Sequence, residues 1–355
     1  MDSIRFMPIN FRLEAAAALS RLAYRGDELR AGDMRASADY YSRKYGVPIE
    51  VFDGLVETFE FVKARARIEE SELIALFGQF EGFESNLHDQ FLMLEHSLGK
   101  TRVHELNYRI ATMIADDDAE PDFDHADLAA LMAYAKNLTA TDEAKWLFVD
   151  SCIRYEEYRA RLDRVLDQVE PLIREKADLL EPYVKEALGK FEDDASGGKL
   201  FSHLSESGLR LDCTKADVYP YLMQFSSIML YSNVLAAAHF GEEEQTFLSY
   251  GVLVDRINNS SKSGRDAVES MLTLLHALDD KRRLEILTAL KNRSLYGQEI
   301  VAITGLSAAT ISHHMSELGG AGLISIEKQG VKLLYHLNSK RLAEMADLIQ
   351  QNFLS

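Results

Sequence analysis

Cysteine is scarce in this chain, since Cys152 and Cys213 are the only two among 355 residues. Two thiols so far apart exclude a disulfide framework and are too few for a thiolate metal site. No apolar stretch approaches the roughly 18 uncharged residues of a membrane-spanning helix. The first residues lack a basic segment followed by an apolar core, so no secretory signal is predicted. These absences predict a cytoplasmic protein that has no membrane partner.

Positive charge is also in short supply, because 39 Lys and Arg residues face 57 Asp and Glu residues, for a formal net charge of −18. The excess acid is unevenly distributed. Residues 264–355 hold ten basic and ten acidic side chains, whereas residues 1–263 hold 29 and 47. An acidic body disfavours non-specific attachment to DNA, but it does not forbid a specific docked contact. The neutral C-terminal region therefore keeps nucleic acid open as a partner.

Apolar residues, by contrast, make up 47% of the chain, which predicts a globular protein of two or three domains. Their helical spacing recurs in residues 11–30, 55–77 and 142–191, and we expect the last segment to break near Pro171 or Pro182. Short aliphatic and aromatic runs occupy residues 209–213, 218–230 and 246–254, and at least two of these segments are predicted to be strands. Together with residues 4–6 they predict a small sheet. The predicted fold class is mainly α, of the α+β type.

A small, polar segment at residues 258–264 is the predicted domain boundary. Residues 1–262 are then a mostly helical regulatory and dimerisation region, with its strands at about 200–256, and residues 263–355 form a second domain. The acidic run at 116–124 lacks the loop glycine and closing glutamate of a helix-loop-helix calcium site, so it predicts a solvated turn. No Gly-rich phosphate loop or nucleophile elbow is present, so we assign no catalytic residue, no cofactor and no enzymatic activity.

The second domain has a regular succession of helix signals. Asp280 is a predicted N-cap for a helix over 282–291, and residues 298–304 predict a short helix that Gly305 ends. Ser307 then caps a helix over 308–318. Its apolar residues Ile311, Met315 and Leu318 recur at i, i+4 and i+7. This helix should therefore bury one face and expose small polar side chains on the other.

A ribbon follows this helix. Gly322 suits the left-handed position after a helix end, and residues 323–327 and 331–337 predict two strands joined near Gly330. The order of helix, helix, turn, helix and ribbon predicts a winged helix-turn-helix domain.

Residues 268–340 resemble the ArsR family of bacterial transcriptional regulators. The residues that carry the resemblance are His276–Asp280 with Arg283, Leu284, Ile286 and Leu287; Gly297–Ile300; Leu306, Ser307, Thr310–His314 and Leu318; Ala321–Ile324; and Gly330 with Tyr335. The resemblance covers about a fifth of the chain. It implies a homodimer that binds double-stranded DNA through the helix at 308–318 and sets the hairpin as a wing on the flanking backbone.

The chain departs from the metal-sensing members of this family at two places. Tyr296 and Gln298 stand where those members carry a Cys-x-Cys pair, and neither side chain offers a thiolate to a soft metal. The last helix, at 338–353, holds Glu344 and Asp347 but no His or Cys. It is therefore interpreted as a dimer-packing helix, together with the helix at 268–278, and the predicted dimerisation residues are Met271, Leu275, Leu342, Met345, Ile349 and Phe353.

The predicted DNA contacts follow from the outward face of the 308–318 helix and from the wing. Hydroxyl and imidazole groups both donate and accept hydrogen bonds, so Thr310, Ser312 and His313 can contact base edges or phosphates. His314 lies nearer the apolar stripe and is predicted to pack inward. Ala308, Ala309 and Ser316 supply the rest of that face, and Ser307 stands at the helix start, where free amides can meet a phosphate. Gln298 is predicted to contact the backbone from the preceding helix, and Lys328 and Lys332 to contact phosphates from the wing.

The sequence therefore predicts a homodimeric DNA-binding regulator that reads a pseudo-palindromic operator. A small organic ligand or a partner at the N-terminal region is expected to control it. Two alternatives remain open. The winged fold can serve as a protein-protein interaction module, or the N-terminal region can be an enzyme or ligand-binding domain with an appended DNA reader.

Overall fold

The computed structural model describes residues 3–25, 32–78, 128–137, 141–191, 199–200, 203–204, 209–211, 215–232, 246–262, 267–306, 308–329 and 332–350. The acidic run at 116–124 lies outside these residues. The chain divides into two compact units, an N-terminal unit of residues 1–195 and 215–260 and a C-terminal unit of residues 196–214 and 261–355. Within the described ranges, no helix is both long and apolar enough to cross a membrane.

The helices in chain order are α1 (Phe11–Ala23), α2 (Met34–Tyr45), α3 (Asp53–Arg65), α4 (Glu70–Phe77), α5 (Leu128–Asn137), α6 (Asp142–Ile153), α7 (Tyr155–Arg174), α8 (Ala177–Leu188), α9 (Val254–Lys262), α10 (Ala267–Leu278), α11 (Lys281–Leu290), α12 (Gly297–Thr304), α13 (Ala308–Gly320) and α14 (Ser339–Ile349), with 3₁₀ turns at Ile49–Phe52 and Gly189–Phe191. The strands are β1 (Ser3–Phe6), β2 (Leu209–Leu211), β3 (Lys215–Tyr221), β4 (Ile228–Ser232), β5 (Thr246–Gly251), β6 (Leu295–Tyr296), β7 (Ile324–Gln329) and β8 (Lys332–Leu337). The prediction of a mainly helical fold with a small β component is confirmed.

The N-terminal unit contains a four-stranded sheet in the order β1-β3-β5-β4. β1, β3 and β5 run parallel, and β4 is antiparallel to β5. Every residue of β5 is buried, as expected of a strand with neighbours on both sides. Pro220 lies inside β3, where the carbonyl of Val218 bonds to Met7 beyond the end of β1. Residues 218 and 220 direct their backbone groups to the same side of β3, toward β1. Because β1 ends at Phe6, the missing N–H of Pro220 costs no ladder bond.

Helix α1 is fixed to the turn after β3 by a buried acid. Both carboxyl oxygens of Glu14 accept hydrogen bonds from the amides of Leu222 and Met223, at 2.8 Å each. Burial raises the pKa of Glu14 to about 8, although the two amide bonds act in the opposite direction. Two turns later on the same helix, the Arg21 guanidinium donates to the carbonyl of Met223 and to Ser37 Oγ. These side chains hold α1, α2 and the end of β3 together.

The long helical segment at 142–191 breaks at other residues than the prolines. α6 ends before Arg154, and a turn at 175–176 separates α7 from α8, while Pro171 and Pro182 both lie inside helices. The turn at 175–176 confirms the predicted break near Pro171, and the chain does not break at Pro182, which lies inside α8. Pro171 falls in the last turn of α7, only three residues before the helix ends. Buried residues such as Leu180 keep α8 packed, and packing outweighs the single hydrogen bond that a proline removes.

The C-terminal unit surrounds its own apolar core, and its sheet has the order β2-β7-β8-β6. The buried residues of this core come from α10 to α14 and from the wing strands: Leu274, Ala277, Ile286, Leu287, Leu290, Leu295, Ile300, Ile311, Met315, Leu318, Ala321, Leu323, Ile324, Tyr335 and Met345. Residues 196–214, which the sequence placed in the N-terminal region, belong to this unit because β2 pairs with β7. Near the predicted boundary, α9 continues as helix through Lys262.

Substituting Glu14 tests the buried acid through its pH dependence. The carboxyl is protonated in the folded protein up to about pH 8 but ionised above its ordinary pKa of 4.5 when unfolded. Folding therefore takes up a proton between these values, and stability falls as pH rises through that window, by about 1.4 kcal/mol for each unit of pKa difference at most. We expect Glu14→Gln to flatten this dependence in urea denaturation followed by circular dichroism. Glu50→Gln, at an exposed position, is the control, and equal slopes in all three proteins would contradict the assignment.

Candidate nucleic-acid interface

The turn between α12 and α13 depends on Gly305. Its φ of 68° lies in the left-handed region, and its amide donates to the carbonyl of Val301 at 2.8 Å. A Cβ added at Gly305 would meet no atom within 4 Å. The backbone conformation, and not lack of space, therefore requires glycine at this position. As predicted, Gly305 ends one helix and allows the chain to start the next in a new direction.

Helix α13 buries its predicted apolar stripe. Ile311, Met315 and Leu318 are 3%, 3% and 0% exposed and belong to the core of the C-terminal unit. Thr310, one residue before this stripe begins, is exposed. The helix continues to Gly320, two residues beyond its predicted end. The core therefore holds α13 from one side and leaves at least one hydroxyl side chain of its first turn in solvent.

His314 packs inward from α13, as predicted. It is 8% exposed, and its Nδ1 lies 3.9 Å from the Asp280 carboxylate. Asp280 is the N-cap of α11 and accepts from the amide of Arg283 at 2.9 Å, a bond that holds the pKa of this carboxyl below its usual range. The Arg283 guanidinium in turn donates to the last carbonyls of α10, those of Ala277 and His276. This chain of contacts connects α13 through α11 to α10.

The other predicted contact residues are distributed over three elements. Gln298 is the second residue of α12 and is exposed. Ala308, Ala309, Ser312, His313 and Ser316 all lie within α13, whereas Ser307 lies outside the described residues. Lys328 is on β7 and Lys332 on β8, one register position apart at the free end of the hairpin. Their contacts with DNA stay predictions.

The turn between α13 and the wing is held by side chains of α14. Gly322 has a φ of 72°, as predicted for a left-handed helix end. Its carbonyl accepts from Asn338 Nδ2 at 2.9 Å, while the amide of Asn338 donates to the carbonyl of Leu323, also at 2.9 Å. Arg341 Nε donates to the carbonyl of Ala321 at 3.3 Å. The start of α14 thus fixes the angle between α13 and the wing.

A polar network crosses the wing. Ser294 Oγ lies 2.6 Å from His336 Nδ1, and His336 Nε2 lies 3.0 Å from a carboxylate oxygen of Glu327. The three residues come from the segment before β6, from β8 and from β7. Sequence reasoning missed this network and the Asn338 and Arg341 contacts, because nothing in the local spacing of these polar residues distinguishes them from solvated side chains.

The two places that carry metal ligands in other family members are occupied by other contacts here. Tyr296 precedes α12, and its amide donates to Glu299 at 2.9 Å, which secures the start of that helix. On α14, Glu344 forms an ion pair with Arg341 at 3.0 Å. Across the described parts of the chain, no three His, Cys, Asp or Glu side chains are grouped as a metal-binding site requires.

The predicted dimerisation residues divide into two groups. Met271 and Met345 are buried within the protomer itself, and Leu342 and Ile349 are half-buried against the same core. Leu275 on α10 is 42% exposed, and α10 packs on α14. Phe353 lies outside the described residues. Among the predicted interface residues that the structure describes, Leu275 is therefore the most exposed.

Two helices joined by a glycine turn, followed by a two-stranded ribbon on the same core, define the C-terminal unit as a winged helix-turn-helix domain. The family model of bacterial regulatory proteins of the arsR family matches residues 280–325. The chain belongs to this ArsR family through its C-terminal unit, and the resemblance seen in the sequence is confirmed.

Curated relatives match the same quarter of the chain. The arsenical resistance operon repressor of Staphylococcus xylosus is 36% identical over 84 residues, which cover 24% of this chain and 77% of that protein. The transcriptional activator HlyU of Vibrio cholerae is 30% identical over 80 residues, covering 22% and 74%. The solved structure of HlyU from Vibrio cholerae N16961 has 26% identity and a TM-score of 0.22, over 26% of this chain and all of that one. The family match and the curated relatives support a DNA-binding transcriptional regulator.

Substitution of Asn338 tests how α14 fixes the turn after the recognition helix. Asn338→Ala removes a helix cap and the donor to Gly322, so we expect a loss of about 2 kcal/mol in the free energy of unfolding. Asn338→Asp keeps the capping oxygen and should lose less. Urea denaturation followed by circular dichroism measures both, with the fluorescence of Trp146 as a separate report on the N-terminal unit. Equal stability of the Ala, Asp and unchanged proteins would disprove this role.

Proposed function

We propose that the protein is a homodimeric transcriptional regulator that reads a pseudo-palindromic operator with α13 and with the wing at 323–337. The observation that carries the proposal is the one-sided burial of α13, since Ile311, Met315 and Leu318 fill the core while Thr310 is exposed. A helix held in this way can enter a major groove without losing its support. The relatives' names, which include an operon repressor and a transcriptional activator, agree with this role.

The charge of the C-terminal region shapes how such a protein binds DNA. Residues 264–355 hold equal numbers of basic and acidic side chains, and Glu317 lies near the end of the recognition helix. Few phosphates are then neutralised by each subunit, so salt should weaken binding less steeply than for a strongly basic reader. Specificity depends on hydrogen-bonding side chains and on the spacing of two recognition helices in a dimer.

Control by a small organic ligand or a partner at the N-terminal unit completes the proposal. Tyr296 and Gln298 provide no thiolate, and Glu344 is engaged with Arg341, so we do not assign the control to a metal. A ligand shifts DNA affinity only if it binds one of two conformations more tightly. The N-terminal unit has its own sheet and core and is large enough to supply that second site.

A protein-protein interaction module is the second candidate function. Ile303 on α12 is 52% exposed, next to the turn that leads into α13, and residues 264–355 carry no net positive charge. An apolar side chain at this position is unusual for a surface that meets only DNA. Absence of any salt-sensitive complex with DNA from upstream of its own gene would favour this alternative.

The recognition helix is tested by removing two of its polar side chains. Ser312→Ala with His313→Ala should abolish sequence-specific binding to upstream DNA in a mobility-shift assay, because these groups are the predicted base contacts. The dimer and its melting temperature should be unchanged. Thr288→Ala, which removes a hydroxyl from an exposed position of α11, is the matched control. Specific binding that survives the double substitution would refute the assignment of α13 as the reader.

The dimer is tested at Leu275. A charge on this exposed apolar side chain should separate the protomers without disturbing their cores, so Leu275→Glu should sediment as a monomer and bind DNA more weakly. Leu284→Glu is the control, since Leu284 is 46% exposed on α11, outside the predicted interface. If both variants remain dimeric, or if both dissociate, the interface does not lie on α10.

A further inference from the structure

The path of the chain around β2 is unusual for a wing. Residues up to 195 and from 215 onward belong to the N-terminal unit, whereas residues 196–214 belong to the C-terminal unit. Only three residues separate the end of β2 at Leu211 from Lys215, where β3 begins. β3 lies between β1 and β5 inside the N-terminal sheet. The strand that pairs with the wing is therefore joined through only three residues to an interior strand of the other unit's sheet.

Pairing with β2 changes the surroundings of β7. β2 runs parallel to β7, with Leu209, Arg210 and Leu211 opposite Ile326, Glu327 and Lys328. Without β2, β7 would be an edge strand with unpaired amides and carbonyls. Hairpins of two strands are only marginally stable, and a third strand gives them a fixed shape. The pairing also reaches the register position of Lys328, one of the predicted phosphate contacts.

The contact is suited to being made and broken. Three residues are fewer than the usual strand length of about 5–6, and parallel pairs are slightly less stable per residue than antiparallel ones. The pairing is a backbone ladder of only three register positions, so undocking breaks few hydrogen bonds. A docked strand of this length is consequently sensitive to small changes at its ends.

We propose that β2 is a docking strand through which the N-terminal unit controls the wing. Docked on β7, it orders the wing for DNA. A change that draws β3 away from the wing undocks β2, loosens β7 and lowers DNA affinity. This inference rests on the proposed DNA-binding function, to which it adds a physical route for control.

A disulfide can lock the strand in place. Neighbouring strands lie about 4.8 Å apart, within the Cα separation of about 4.4–6.8 Å that a disulfide spans. We therefore choose Arg210→Cys with Glu327→Cys, in a chain carrying Cys213→Ser to prevent mispairing. Burial raises the pKa of the Cys152 thiol to about 12, so this residue should stay unreactive. The reduced form of the same protein is the matched control, because it has lost the same side chains.

A second variant releases the strand. Leu209→Gly, Arg210→Pro and Leu211→Gly together remove its ability to pair, while the triple alanine substitution at these positions keeps the backbone ladder and serves as control. We expect the released protein to bind upstream DNA about tenfold more weakly, because the wing must then be ordered on binding. The alanine control should bind like the unchanged protein, and the oxidised disulfide form at least as tightly as its reduced form.

Hydrogen exchange separates this inference from the proposed function. Measured without DNA, the β7 amides at 324–329 should lose protection in the released variant and gain it in the oxidised form. In the reduced form of the double-cysteine variant, the amides of β7 and β3 should lose their exchange protection at the same denaturant concentration. Unaltered β7 protection in the released variant, or lost protection with full DNA affinity, would overturn the inference. Failure of every form to bind DNA, with the expected exchange, would instead count against the proposed function.

Discussion

One-sided burial of α13 is the constraint on which the rest of the C-terminal unit depends. Ile311, Met315 and Leu318 recur on one face and lie in a core to which α11, α12 and the wing all contribute. Burying such side chains contributes about 1.5–3 kcal/mol each, far more than any single polar contact on the surface of the helix. The core thereby fixes the position of the helix from one side.

The directions of the elements around α13 are set by a few buried or capped polar groups. Arg283 satisfies the last carbonyls of α10, and Asp280 caps α11 close to His314 of the recognition helix. At the C-terminal end of that helix, Asn338 and Arg341 donate to the carbonyls of the turn that leads into the wing. A displacement of α10 or α14, the two helices predicted to form the dimer, would therefore reach the middle of α13 and the turn after it. Dimer packing through α10 and α14, as proposed, would in this way be coupled to the position of α13.

The N-terminal unit has a different architecture. It contains a mostly parallel sheet and a buried acid, Glu14, that accepts hydrogen bonds from backbone amides after β3. β3 is preceded by residues 196–214, which belong to the C-terminal unit and include β2, the strand that pairs with the wing. The chain passes between the two units at 195–196, 214–215 and 260–261. Because each unit has its own core, a change in the N-terminal unit need not unfold the reader to affect it.

Features that depend on residues a few positions apart could be predicted from the sequence. The spacing of Ile311, Met315 and Leu318, the cap at Asp280 and the left-handed glycines at 305 and 322 predicted the reader and its turns, since helix faces and backbone angles depend on residues a few positions apart. Tertiary structure alone decided the others. Pro182 stays inside a helix, Glu14 binds amides more than 200 residues away, and β2 adds to the wing. Such contacts are chosen by which surfaces the folded core brings together, and no local pattern records that choice.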